Sequence, residues 1–193
     1  METRPTMSRR VIALLCCLYP GSQLHAWASP PPFETCTDYH CDILKPVTLR
    51  PDEWREIRGL FSAIQSAVEE RQQIRAAIAR FEQLVGEQTD NWRDLPENGG
   101  EGSESGQLDC IAESRNTTTY LRLMARDNLL KWHRVEERRR RNPWLFNIHW
   151  TATIMDIRSR QQYAVDSWFF ANGQAPVIQP IEAWLSGQDF RLK

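Results

Sequence analysis

Residues 145–170 read LFNIHWTATIMDIRSRQQYAVDSWFF, and the fold class can be built outward from them. Leu145 to Ile157 and Gln162 to Phe170 are rich in β-branched and aromatic residues. The polar Arg158 to Gln161 joins them, so the pattern predicts an antiparallel hairpin. Among the apolar residues of these strands stand His149 on the first and Asp166 on the second. A carboxylate inside so apolar a strand is costly unless something pairs with it. With the hairpin centred between Ile157 and Arg158 the two would stand directly opposite, on one face of the sheet. A turn centred one or two residues later displaces them along the strands.

Upstream of the hairpin, Asp109 to about Asn128 has apolar residues at helical spacing, with Asp109 as the cap; the threonines 117–119 are the weak point of that helix. Lys131 to Val135 suggests a short strand. Glu136 to Arg141 ends in four arginines and is read as a solvated turn, although such a run also suits anionic lipid or an acidic substrate. Further upstream, Trp54, Ile57, Phe61, Ile64, Val68, Ile74, Ile78, Phe81 and Val85 recur every three or four positions. They predict a scaffold helix over 51–85, or two in succession, with Pro51 in its first turn. Residues 86–108 are glycine-rich and polar and predict a flexible surface loop. After the hairpin, Asn172 and Gly173 mark a turn, and Ile181 to Leu185 is at most a short helix. Together these predict an α+β domain, helices packed on a small antiparallel sheet.

The chain has 193 residues, five of them cysteine, with 24 basic and 25 acidic side chains. That is enough for one domain of ordinary size, and the charge balance offers no basic stripe for nucleic acid. No apolar run approaches the roughly 20 residues of a membrane span. The N-terminus has the order of a secretory signal: Arg9 and Arg10, an apolar run from Val11 to Leu18, then Ala26-Trp27-Ala28 before Ser29 and three prolines. Residues 1–28 are therefore expected to be a signal peptide cut after Ala28, and 29–193 a single domain in the periplasm or outside the cell. Lipidation at Cys16 or Cys17 is the weaker alternative. Cleavage leaves Cys36, Cys41 and Cys110. In an oxidising compartment Cys36 and Cys41 are expected to close a small disulfide loop. The same pair with His40 lacks the second ligand pair of a metal site.

Cys110 is then the odd thiol, at the predicted start of a helix, where a thiolate is stabilised. A histidine can hold its proton, and a carboxylate on the other ring nitrogen can fix the imidazole. Cys110, His149 and Asp166 supply those three roles. Each also has a plainer reading: a buried cysteine, a satisfied core histidine, and an aspartate bonded to nearby backbone.

Asp109-Cys110 at a helix start, His149-Trp150 on one strand and Val165-Asp166-Ser167-Trp168 on the next resemble the transglutaminase-like superfamily of papain-related fold. The resemblance covers roughly Asp109 to Phe170, and its spacings are most similar to those of bacterial transglutaminase-like cysteine proteases. It implies Cys110 as nucleophile, His149 as general base and acid, and Asp166 as the residue orienting the imidazole. Calcium, associated in some relatives with acids right after the cysteine, is not supported by Ile111 and Ala112; no other cofactor is implied. An oxyanion donor is also required, for which Gln107 and Trp92 are candidates. The expected function is an exported cysteine hydrolase cutting a peptide or amide bond of a protein substrate. The alternatives are a cross-linking acyl transferase and a non-catalytic binding module on the same scaffold.

Overall fold

The computed structural model describes Met1 and residues 28–99, 105–142 and 148–188. The expected signal peptide lies outside these residues except at its two ends. Among the described residues ten elements longer than three residues follow one another: β1 Phe33–Cys36, β2 Leu44–Val47, α1 Pro51–Gly59, α2 Ala67–Gln88, α3 Cys110–Arg126, β3 His133–Arg141, β4 His149–Asp156, β5 Gln162–Asp166, β6 Val177–Pro180 and α4 Ile181–Leu185. The fold is α+β, with helices packed against antiparallel sheets. One sheet is the β1–β2 hairpin; the other has four strands in the order β3-β4-β5-β6.

The apolar periodicity upstream makes two helices rather than one. The chain leaves α1 at Gly59 and re-enters a helix at Ser66, whose Oγ accepts the Glu69 N–H at 3.2 Å. α2 turns Ile74, Ala77, Ile78, Phe81, Leu84 and Val85 into the core. There Phe81 stacks on Tyr120 of α3 with ring centroids 4.7 Å apart, and Trp54 of α1 closes over Phe81. Ala152, Ile154 and Val165 complete the same cluster from the sheet. Each such side chain, fully buried, contributes roughly 1.5–3 kcal/mol, so this three-helix and sheet junction is what holds α3 in place.

α3 begins where the sequence predicts. The Asp109 carboxylate accepts the Ala112 N–H at 2.9 Å. The threonine run does not interrupt it, because Thr118 and Thr119 donate their hydroxyls back to the carbonyls of Ser114 and Arg115. Such back-bonding satisfies hydroxyls that would otherwise compete with the helix.

The hairpin forms, with a later turn. Ala152 pairs with Val165 and Met155 with Gln162, which centres the turn between Arg158 and Ser159. Asp156 sets that position: its Oδ1 accepts the N–H groups of Arg158 and Ser159 at 2.9 and 3.0 Å. Arg160 takes the left-handed conformation, φ 64°. Extended by one pair, this register puts Asp166 opposite Thr151, so His149 is a diagonal neighbour of Asp166 on the same face.

Two further readings are corrected. The arginine run is not a turn but the second half of β3, pairing Arg139 with Thr151, Arg140 with Trp150 and Arg141 with His149 after an irregularity between Glu136 and Arg139. β3 is an edge strand, where charge is tolerated and discourages further pairing. Second, a strand, β6, follows the Asn172–Gly173 turn and pairs with β5, Val177 opposite Asp166.

Candidate functional site

Three elements meet at one cleft. Cys110 is the first residue of α3, His149 the first of β4 and Asp166 the last of β5. Cys110 and His149 line a cavity of about 440 Å³ together with His40, Asp109, Trp150 and Trp168. The His149 ring is buried, and its Nε2 lies 2.7 Å from Asp166 Oδ2. That same oxygen accepts the indole N–H of Trp184 from α4, also at 2.7 Å. Asp166 is therefore held from both sides, by an imidazole and an indole.

The ring of His149 is caged by Trp168, Phe169 and Trp184, with centroids 4.7, 5.5 and 5.6 Å away. Burial is the largest influence on its charge and works against it. The hydrogen bonds to Asp166 and Cys110, with the charges of both partners, outweigh burial and push it up to about 9. At neutral pH the ring is an imidazolium between a carboxylate and a sulfur.

The disulfide forms as expected, between Cys36 and Cys41. It closes the end of the β1–β2 hairpin and packs with Leu108 and Ala112, on either side of Cys110. Asn116 of α3 locks it there: its Oδ1 accepts the Cys36 N–H at 2.8 Å, and its Nδ2 donates to the Cys36 carbonyl at 3.0 Å. The bridged loop brings His40 to the rim of the cleft, with Nε2 3.6 Å from Asp109 Oδ2.

These contacts correct the hydrolase expectation. A cysteine protease needs a free thiol and a pre-organised oxyanion donor. The disulfide withdraws the sulfurs of Cys36 and Cys41 from any such chemistry. The donors named for the oxyanion are both engaged or absent from the cleft: Gln107 gives its Nε2 to the Arg93 carbonyl and accepts from Leu95 N and Asn98 Nδ2 with its Oε1. Trp92 is 61% exposed, with the Arg93 guanidinium over its ring. Neither side chain is arranged as the donor that peptide or amide hydrolysis requires. Cys110 is a different sulfur from the bridged pair: it is free and partly exposed in the cleft.

Sequence reasoning missed Trp184, which sits in a five-residue helix with no pattern tying it to Asp166. It also missed the partner of His133. That ring Nδ1 lies 2.9 Å from Glu70 Oε1, 63 positions away, inside a structural network remote from the cleft lining.

Beneath the cleft lies a second group of acids, Glu82 of α2, Asp94 and Glu113 of α3. Burial raises all three, Glu82 to about 8 and Asp94 to about 6. Glu113 is raised well above its ordinary value, first by burial and then by the charges of Glu82, Asp94 and Asp166 that face it, and its carboxyl hydrogen-bonds with Asp94. Asp94 in turn accepts the Leu108 N–H at 2.7 Å, two residues before Cys110.

Among the described residues no helix is long and apolar enough to cross a membrane. No protein-family model, no curated protein and no solved structure matches the chain.

Proposed function

We propose that the cleft is a ligand-binding site built around a reactive thiol, Cys110, with the ligand held between Trp150 and Trp168. His149 activates the sulfur and Asp166 orients His149. The observation that carries this reading is the line of contacts from Trp184 through Asp166 and His149 to Cys110. A cationic ring beside the sulfur, at the first turn of a helix, is the kind of electropositive setting in which reactive cysteines are found. The order of parts, cysteine at a helix start and then His149 and Asp166 on successive strands, supports a transglutaminase-like fold. The Cys36–Cys41 bridge and the leader-like N-terminus support export, since disulfides persist in oxidising compartments.

The test is alkylation. Folded protein is treated with iodoacetamide at pH 6.5 and followed by intact mass and peptide mapping. Cys110 is expected to react about tenfold or more faster in the wild type than in His149→Ala, in line with the thiolate fraction governing the rate. Equal rates in the two proteins would sink the proposal.

A further inference from the structure

On the far side of the α3 N-terminal turn from the thiol cleft lies a groove of about 400 Å³ between α3 and the edge strand β3. Arg115 and Arg122 enter it from α3, two turns apart on one helix face, and Arg138 enters from β3. The acids on its wall are Glu34 and Glu137. Glu137 is taken by Arg122 at 3.3 Å. Arg115 has no acidic partner among the described residues, and burial followed by repulsion from Arg115 holds Arg138 below its ordinary value. The groove thus gathers three guanidiniums that oppose one another, an arrangement relieved by an incoming anion.

Arg138 also joins the groove to the cleft. Its guanidinium donates to Ser114 Oγ at 3.0 Å and to the Ile111 carbonyl at 3.3 Å, and lies 4.9 Å from the centre of the Trp150 ring. Ile111 and Trp150 line the thiol cleft. A ligand that fills one cavity therefore passes the Arg138 side chain to reach the other. An extended polypeptide, which advances about 3.3 Å per residue, is suited to do so in a few residues. Exposed apolar side chains flank this path, Ile148 at the cleft and Leu44 at the groove.

We propose that the groove of Arg115, Arg122 and Arg138 is a subsite for acidic side chains of the polypeptide whose neighbouring segment occupies the thiol cleft. It rests on the cleft being a ligand site, and deepens that reading by naming the ligand as an acidic peptide. Carboxylates there pair with the planar guanidiniums, leaving the apolar segment to Trp150 and Trp168.

The probe is a fluorescein-labelled hexaglutamate peptide, titrated with the wild-type chain by fluorescence anisotropy at low ionic strength. Arg115→Glu is expected to weaken binding about tenfold or more by placing like charge in the groove, while Arg55→Glu, a matched charge change on α1, leaves it unchanged. Loss of equal size in both variants would mean nonspecific charge attraction and overturn the proposal. So would undetectable binding to the wild type, displacement of the peptide by inorganic phosphate at matched ionic strength, or Arg115-dependent binding of phosphatidylserine vesicles without peptide binding. Cys110 alkylation, measured in parallel on the wild type, His149→Ala and Arg55→Glu, is expected to fall in His149→Ala and to stay at the wild-type rate in Arg55→Glu. Failure of the thiol reading would appear in that rate, and failure of the subsite in the anisotropy.

Discussion

Replacing Asp166 by asparagine keeps the shape of the side chain and removes its charge, and the consequence falls on His149. The ring stands at about 9 against an ordinary 6.5, a difference worth about 3 kcal/mol. Burial opposes the imidazolium and is the largest influence, so the hydrogen bonds and charges of Asp166 and Cys110 supply more than the whole rise. In Asp166→Asn the burial remains and one of the two charges is gone. His149 is then expected to titrate about two units lower. At pH 7 the ring falls from about 99% charged to about half charged, as a group near 7 would be. The assay is two-dimensional NMR of the His149 ring across pH 5 to 10, with circular dichroism to establish that the variant is folded. A His149 midpoint within half a unit of wild type would refute the view that Asp166 holds the ring charged. The raised value also has a stability consequence: the contribution of His149 is fully present below about 6.5 and disappears as pH rises through about 9.

Two other predictions concern the frame. Glu70 is fully buried and accepts the backbone N–H groups of Lys131, Trp132 and His133 as well as the His133 ring. Glu70→Ala leaves those donors short and is expected to cost about 3 kcal/mol or more, a fall of about 10 °C in the melting temperature; calorimetry showing less than a third of that would contradict the network. The acids Glu82, Asp94 and Glu113 bind protons more tightly folded than unfolded, so their stabilisation is present at low pH and is lost as pH rises through about 6 and about 8. The melting temperature should fall between pH 5 and pH 8, and Glu113→Gln should flatten that slope; an unchanged slope would place the pH dependence elsewhere.

What the sequence revealed of this site follows from the range over which each signal acts. The Asp109 cap and the apolar alternation of β4 and β5 are local, and both are legible. The turn register was not, because the two N–H bonds to Asp156 and the left-handed Arg160 place it one residue later than a centre between Ile157 and Arg158. The Ser66–Glu69 cap that divides α1 from α2 was a legible signal, masked by apolar spacing that continues through the break. The arginines of β3 misled because charge density usually marks a turn, whereas on an edge strand it is compatible with pairing on the inner side. β6, four residues behind Pro176, carries too short an alternation to register. Glu70 with His133 and Trp184 with Asp166 are pairs made by tertiary packing, and nothing local announces them.

The indole of Trp184 has a consequence in time. Asp166 receives its second hydrogen bond from α4, whose Trp184 follows Cys110 by 74 positions, and Arg141 braces that helix by donating to the Trp184 carbonyl at 2.6 Å. A ribosome releases α3, with its thiol, long before it releases α4. The nascent chain thus carries Cys110 without a finished cage around His149, and the cage closes only when α4 docks. A chain stopped after β6 would have every one of its three reactive residues and an incompletely anchored carboxylate.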